Sequence, residues 1–304
     1  MTVATFLRLG LALQVGVAAA CALWLLPDEL RWLAIPIALL VPLVATALVL
    51  AGEFAVGAII DPRASPLPKR EVLRIWWEET AISTRMFSFA QLFATHFADP
   101  PLVHDPTRPA VLLVHGYLCN RAVWRALLES GKLSACNVAT IDLAPILAPI
   151  DRYAQVINDA VTRLRAATGA PQVVLVGHSM GGLAIRAYLR EFGDAAVAKI
   201  ITLASPHQGT FFGRFGTGAN AKQMAVGSPF MQRLAQAMSP TVAAKIVCVA
   251  TRDDNLIVPR SSPLLPGARH VVLDRVGHLA LIEDERAWQV LLEESQPARP
   301  QLAA

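Results

Sequence analysis

The sequence predicts an α/β fold with a mostly parallel central sheet, and three observations support this prediction. Short apolar runs typical of buried strands recur after residue 109. Amphipathic helical patterns separate these runs. A Gly-x-Ser-x-Gly turn at residues 177–181 follows one run and precedes a helical pattern. Alternating strands and helices are typical of a layered α/β domain, which we expect over residues 109–304.

The individual elements follow from the same patterns. Strands are predicted at residues 110–114, 137–141, 172–176, 199–204, 245–250 and 270–273. In the helix predicted over residues 152–167, apolar side chains recur at helical spacing and would bury one face. We interpret this stripe as core packing that implies no cofactor. A second helix is predicted at residues 180–192, with Gly193 as its C-terminal stop.

The Gly-x-Ser-x-Gly turn predicts a nucleophilic serine. A tight turn between strand and helix strains the central residue and leaves no room for neighbouring Cβ atoms, which accounts for both glycines. The hydroxyl of Ser179 would point outward. The start of the following helix offers unpaired N–H groups and a positive dipole end, which favour a developing oxyanion. The sequence therefore predicts a serine hydrolase.

A serine hydroxyl also needs a base, and three histidines follow Ser179. His278 lies in a loop beyond a late strand, from which it can reach the serine, and it is the predicted base. His270 is interpreted as the entrance of that strand. His207 lies in a turn-rich stretch after an earlier strand, so it can line the site but fits the base role less well.

The acid that orients the base should follow another strand, and two adjacent aspartates do so. We favour Asp254, because it immediately precedes the Asn-Leu-Ile-Val-Pro segment at residues 255–259. Asp253 stays open as the alternative. The aspartate that is not the acid is expected to be a surface charge.

Two backbone N–H groups are predicted to form the oxyanion hole, those of Tyr117 and Met180. Tyr117 follows a His-Gly pair directly after the strand predicted at residues 110–114, and Met180 follows the serine. His115 and His178 flank these elements. We expect both to stabilise loops through hydrogen bonds and not to transfer protons.

These motifs resemble those of the α/β-hydrolase superfamily and, within it, the bacterial triacylglycerol lipase and esterase group. The matching segments are residues 114–117, 177–182, 205–210, 254–255 and 277–278. The resemblance covers residue 109 to the C-terminus, and the Pro-His-x-Gly-Thr element at residues 206–210 is its most discriminating part. It implies ester hydrolysis through an acyl-enzyme, with Ser179 attacking, His278 moving the proton and Asp254 holding the imidazole. Some such lipases carry structural calcium, but this sequence has no acidic cluster that predicts a metal, and we expect no cofactor.

The first 60 residues predict a membrane anchor. The chain of 304 residues is 54% hydrophobic and 16% charged, which is too apolar for an ordinary soluble enzyme. Residues 9–26 and 32–52 carry no charge, and each approaches the ~20 residues that cross a bilayer. Only residues 27–31 separate them, so a transmembrane helical hairpin is predicted. A cleaved signal peptide and two buried helices of a soluble domain are the alternatives.

The orientation is predicted from flanking cations. Arg8 precedes the first span and Arg63, Lys69, Arg70 and Arg74 follow the second, whereas the connection carries one arginine beside two acids. The positive-inside rule then places the catalytic domain in the cytoplasm, with a periplasmic or extracellular face as the alternative.

None of the four cysteines has a metal-binding spacing. The net charge of +4 is too diffuse to imply nucleic acid.

Two further segments surround the catalytic core. Residues 61–108 are predicted to be a linker and a juxtamembrane helical segment, with the proline-rich part at 61–68. Residues 69–97 mix aromatic and charged side chains, which favours packing against the catalytic domain over lying on the bilayer. Residues 211–243 interrupt the alternation and are predicted to form a short cap over an acyl pocket, with about half of their large apolar side chains packing inward.

The leading functional hypothesis is therefore a membrane-anchored lipase or esterase whose partners are a lipid or acyl ester and the membrane. An acyltransferase or thioesterase with the same three side chains is the first alternative, because pocket shape and water access choose the acceptor. A catalytically silent, membrane-tethered interaction module is the second. The sequence predicts no oligomeric state.

Overall fold

The computed structural model describes residues 1–62, 67–96 and 98–296. Its centre is a sheet of six parallel strands in the order β2-β1-β3-β4-β5-β6. The strands are β1 (Ala110–Val114), β2 (Asn137–Ile141), β3 (Val173–His178), β4 (Val197–Leu203), β5 (Ile246–Thr251) and β6 (Arg269–Leu273). Every residue of β1, β3 and β5 is buried, which explains why they are continuous apolar runs. The predicted fold class and the predicted strands are confirmed.

Helices cover both faces of the sheet. The helices of the described chain are α1 (Val3–Leu25), α2 (Ala34–Ile60), α3 (Lys69–Ser88), α4 (Arg125–Glu129), α5 (Tyr153–Thr168), α6 (Met180–Phe192), α7 (Ala219–Gln223), α8 (Pro229–Gln236), α9 (Pro240–Ala243) and α10 (Glu285–Ser295), of which α1 and α2 lie away from the sheet. Successive side chains of a strand point to opposite faces, and β1 accordingly divides its residues between two cores. Leu112 and Val114 pack with α5 and α6, whereas Val111 and Leu113 pack with Trp124 and with α10.

The predicted helices lie where their patterns place them. The predicted stripe of α5 is core, with Ile157, Val161 and Leu164 all buried. Helix α6 begins directly after Ser179 and ends at Gly193, whose φ of 75° is a left-handed conformation that favours glycine.

The two apolar segments form helices α1 and α2, which pack against each other across a short helical connection at residues 28–33. Both are long and apolar enough to cross a membrane. Their apolar side chains are largely exposed, including Leu13 and Leu39 at 69% and 63%. The far end of α2 contacts the catalytic domain, because Arg260 donates to the backbone oxygens of Gly57 and Asp61.

Helix α3 packs between α2 and the catalytic domain, as the alternation of its aromatic and charged residues favours. Ile75, Thr80 and Met86 are buried, and the indole N–H of Trp76 donates to the backbone oxygen of Ala47 in α2 at 2.9 Å. Residues 63–66 of the predicted linker and Phe97 at the end of the predicted juxtamembrane segment lie outside the described residues.

Residues 211–243 form short helices between β4 and β5, among them α7, α8 and α9. Met224, Phe230 and Met231 pack into the core, whereas Phe215 is 71% exposed. The division between inward and outward side chains therefore resembles the one expected from the sequence. The cavity described below is lined by other elements, and a covering role for this segment stays a prediction.

Candidate active site

Ser179 lies at the sharp turn between β3 and α6. Its φ of 53° and ψ of −124° are strained for a residue with a side chain, as the motif requires. A Cβ on Gly181 would lie 2.4 Å from the carbonyl oxygen of Val114, and a Cβ on Gly177 would lie 2.6 Å from the nitrogen of Gly182. Both flanking positions therefore exclude any residue other than glycine.

Asp254 and His278 are hydrogen-bonded to each other at the same end of the sheet. The Asp254 Oδ2 lies 3.0 Å from Nδ1 of His278, and both side chains are buried. The other carboxylate oxygen of Asp254 accepts hydrogen bonds from the N–H groups of Leu256 and Ile257 at 2.9 and 2.7 Å. The carboxylate is thereby fixed with one oxygen aimed at the imidazole, which orients a histidine as a triad acid does.

Asp253 has a different set of partners. Its Oδ2 accepts a hydrogen bond from the backbone N–H of Arg275 at 2.6 Å, and its own N–H donates to the hydroxyl of Thr251. Asp253 therefore holds the segment that leads to His278, and it is buried, not the surface charge expected for the second aspartate. The geometry favours Asp254 as the acid that contacts the base.

The electrostatics of His278 depend on the carboxylates around it. Burial is the largest single influence and would lower the pKa of His278, but the carboxylates of Asp254, Glu79 and Glu53 together outweigh it, so the pKa is raised. A raised pKa makes the imidazole a stronger base. The ring of His178 lies beside it with centroids 4.8 Å apart and an angle of 51° between the ring planes, and burial keeps the pKa of His178 well below its ordinary value.

Ser179 and His278 line one cavity of about 400 Å³. Within the described residues the Ser179 hydroxyl makes no hydrogen bond, so it is free to turn toward Nε2 of His278 or toward a substrate. Catalytic hydrogen bonds are often long in unliganded enzymes and tighten when substrate binds.

The loop after β1 lies directly against the serine. A Cβ on Gly116 would be 3.1 Å from the Cβ of Ser179 and 3.2 Å from the carbonyl oxygen of His178. In the described part of the chain, the N–H groups of Tyr117 and Met180 donate to no protein acceptor. Two unpaired donors beside a nucleophile are what a tetrahedral oxyanion requires, although their assignment to an oxyanion hole stays a prediction.

The other histidines are engaged elsewhere. His115 is fixed between the carbonyl oxygen of Gly116 and the N–H of Leu143, both at 2.9 Å, and His178 Nε2 lies 3.3 Å from the carbonyl oxygen of His278. His207 contacts the Thr202 hydroxyl at 3.0 Å and does not line the cavity. His270 lies in β6, as expected.

Two acidic residues near His278 were not anticipated from the sequence. Glu79 of α3 accepts hydrogen bonds from the backbone N–H groups that follow His278, and Glu53 of α2 accepts one from the side chain of Asn255. The sequence could have indicated Glu53, because an acidic residue that directly follows a charge-free apolar run is a candidate functional residue. Glu79 lies among other charged residues of an amphipathic helix, so no pattern in the sequence indicated its role.

Across residues 1–62, 67–96 and 98–296, no group of three or more His, Cys, Asp or Glu side chains is arranged to hold a metal ion.

Comparison with known proteins agrees with this architecture. A family model described as the alpha/beta hydrolase fold matches residues 109–215. Triacylglycerol lipases from Pseudarthrobacter phenanthrenivorans and Burkholderia plantarii are each 44% identical to this chain over 55 residues. That match spans 18% of this chain and only 17% and 15% of those two relatives.

Two solved structures share the fold. The mature form of the Bacillus licheniformis lipase BlEst2 superposes with a TM-score of 0.58 at 18% identity, over 66% of this chain and 98% of that one. Aspergillus fumigatus lipase B gives a TM-score of 0.59 at 15% identity, over 96% of this chain and 87% of that one. Identities this low carry information on the fold alone. The chain therefore has the α/β-hydrolase fold, and it is similar to the lipases named above.

Proposed function

We propose that this chain is a membrane-anchored serine hydrolase that cleaves carboxylic esters of lipid-like substrates through an acyl-enzyme. The observation that carries the proposal is the buried Asp254–His278 pair, which shares a cavity with a strained serine at the β3–α6 turn. An acid, an imidazole and a serine hydroxyl in this arrangement are the components of acyl transfer to serine.

The reaction would proceed in two halves. The Ser179 hydroxyl attacks the ester carbonyl while His278 accepts its proton, and the N–H groups of Tyr117 and Met180 stabilise the oxyanion. His278 then protonates the departing alcohol and leaves an acyl-enzyme on Ser179. A water molecule, deprotonated by His278, attacks the acyl carbon and regenerates the serine. Asp254 stabilises the imidazolium that forms in each half.

The lining of the cavity suits an apolar group, which supports the proposal that the acyl part of the substrate binds beside Ser179. Apart from the groups already assigned to the chemistry, the walls consist largely of apolar side chains, among them Leu50, Phe87 and Leu256. Burial of a hydrocarbon chain against such walls contributes ~25 cal/mol per Å² of apolar surface. The name triacylglycerol lipase carried by the two bacterial relatives is consistent with a lipid ester.

The exposure of α1 and α2 supports membrane anchoring. Only 6% and 22% of their most apolar windows are buried, whereas the core helix of a soluble protein would be mostly buried. Trp24 and Trp32 lie near the connection between the helices and are 82% and 70% exposed, which suits indole rings at a bilayer surface. The cytoplasmic position of the catalytic domain remains a prediction from the flanking cations.

The proposal is tested by ester turnover of the detergent-solubilised full chain. Ser179→Ala should reduce turnover of p-nitrophenyl esters by about 10⁴-fold or more, because the nucleophile is lost. Ser261→Ala, which changes an exposed serine, is the matched control and should retain wild-type turnover. Retained turnover in Ser179→Ala would mean that another group is the nucleophile.

A further inference from the structure

Helix α2 forms one wall of the cavity that contains Ser179. Five of its residues line the cavity on one helical face: Ala45, Thr46, Val49, Leu50 and Glu53. They lie opposite the loop after β1 and the segment that follows Asp254. A helix whose length and composition suit a membrane span therefore also shapes the space beside the nucleophile.

The cavity opens along the same helix. Leu50 is 7% exposed, whereas Val49, which also lines the cavity, is 61% exposed. The neighbouring side chains of Val44 and Leu48 are apolar and are 52% and 68% exposed. The rim at Val49 is thus continuous with the outer apolar surface of α2, the surface that a bilayer would cover.

We propose that α2 is the acyl-binding wall of the active site, and that the acyl chain of a membrane-resident ester enters past Val49 directly from the bilayer. This inference rests on the proposed ester hydrolase function. An acyl chain that moves from lipid into this cavity stays in apolar surroundings throughout, so its methylene groups never meet water. A water-soluble short ester can reach Ser179 without contacting α2, so its turnover should not depend on this wall.

A chain-length profile of the full-length enzyme in detergent micelles tests the inference. Ala45→Phe narrows the cavity. Val49→Phe obstructs the rim of the cavity, and because Val49 is exposed the substitution should not disturb folding. Each should lower kcat/KM for a long-chain p-nitrophenyl ester by about tenfold relative to a short-chain ester, since one methylene of misfit in an apolar pocket discriminates by 10-fold or more. Ala51→Phe, at an exposed position of α2 outside the cavity, is the control and should keep the wild-type ratio.

The outcomes separate this inference from the function on which it rests. If the wild type hydrolyses esters but neither lining variant changes the long-to-short ratio, α2 is not the acyl-binding wall and the hydrolase function stands. If all three variants change the ratio equally, the effect comes from altered micelle binding and the inference is wrong. If the wild type hydrolyses no ester of any length, the proposed function and this inference both fail.

A separate set of contacts assigns a role to Glu79 of α3. Its side chain is 1% exposed, and its two carboxylate oxygens accept hydrogen bonds from the N–H groups of Leu279 and Ala280 at 2.6 and 2.9 Å. A Cβ on Gly277 would lie 2.3 Å from the Glu79 carboxylate, so the loop on both sides of His278 presses against it.

The opposite side of the same loop is held by Asn255. Its Oδ1 accepts a hydrogen bond from the backbone N–H of His278 at 3.1 Å, and its Nδ2 donates to the carboxylate of Glu53 at 2.6 Å. Acidic residues of α2 and α3 thus fix the loop that carries the predicted base. We infer that Glu79 is a positioning residue that fixes the loop of His278 and acts on the reaction through it.

Glu79→Gln tests this role, because glutamine keeps the size of the side chain but turns an N–H₂ group toward a backbone N–H. We expect kcat for a short ester to fall by about 10- to 100-fold with KM nearly unchanged, the usual cost of a slightly displaced catalytic group. The acid limb of the pH profile should also move to lower pH, since Glu79, whose own pKa burial raises to about 7, raises the pKa of His278 when it is charged. If Glu79 had only a structural role, its substitution would reduce the amount of folded enzyme and leave the midpoint of the pH profile unchanged.

Three controls make the result decisive. Rates are normalised to the active sites counted with a phosphonate inhibitor. Glu78→Gln changes an exposed neighbour in an ion pair with Arg74 and should have no effect. Glu79→Asp retains the charge and should restore the wild-type midpoint with part of the rate. If Glu79→Gln keeps the wild-type kcat and the wild-type midpoint of the pH profile, Glu79 does not have this role. If Glu79→Gln fails to fold, Glu79→Asp decides, and a wild-type kcat in that variant would refute the role.

Discussion

The two sides of the active-site cavity have different origins in the sequence. One side consists of the loops at the carboxyl ends of β1, β3 and β5 and of the His278 loop, and it supplies the groups to which chemistry is assigned. The other side consists of α2 and α3, and it supplies apolar side chains and two acidic residues. The comparison shows that the groups assigned to the chemistry and the apolar wall come from different parts of the chain, and that Glu79 and Glu53 connect the two sides through the His278 loop.

The largest effect that would test this division is the loss of the predicted base. His278→Ala should lower kcat by at least about 10³-fold, and by up to about 10⁶-fold if it behaves like the histidine of other serine hydrolases, because burial holds the pKa of His178, which also lines the cavity, well below its ordinary value and makes it a poor base. Steady-state turnover of a short ester measures this. A loss below tenfold would remove His278 from the chemistry and leave the first side of the cavity without a base.

The next effect separates the two aspartates. Asp254→Asn should lower kcat by about 10⁴-fold, because the amide can donate to Nδ1 and stabilise the wrong tautomer of His278. Asp253→Asn should have a much milder effect, since the Asp253 carboxylate accepts a hydrogen bond from the backbone N–H of Arg275, whereas Asp254 contacts the imidazole of His278. Parallel kinetics of the two variants provide the measurement, and equal effects would refute the assignment of Asp254.

A smaller effect is expected in the pH profile. His278 must be neutral to accept a proton, so kcat/KM should fall as pH falls through its pKa. The carboxylates of Asp254, Glu79 and Glu53 together outweigh the effect of burial on the pKa of His278, and His178 stays neutral, so the wild-type midpoint should lie above the ordinary value of 6.5. Removing the charge in Asp254→Asn should move the midpoint of the residual activity to lower pH, and an upward shift would contradict this electrostatic account.

The same division explains how much the sequence could predict. The turn at Ser179 and the strands could be predicted because their signals are local: glycines where no Cβ fits, and apolar runs that are buried on both faces. The choice between Asp253 and Asp254 needed the three-dimensional path of the chain, since adjacent residues of one loop point in different directions.

The pocket wall was beyond sequence patterns for a different reason. The apolar residues of α2 have the same composition whether they contact lipid, protein or substrate, so the pattern predicts a span but not its second use as a cavity wall. Likewise, the contact of Glu79 with the His278 loop joins residues about 200 positions apart. Contacts of this kind follow from the packing of α3, which no local motif specifies.

The most direct measurement of the central claim is to locate a covalent adduct by mass spectrometry after treating the full chain with a long-chain alkyl fluorophosphonate. The account predicts one phosphonyl group on Ser179, formed rapidly in the wild type, much more slowly in His278→Ala and not at all in Ser179→Ala. An adduct on another residue, or equal rates of labelling in the wild type and in His278→Ala, would contradict it.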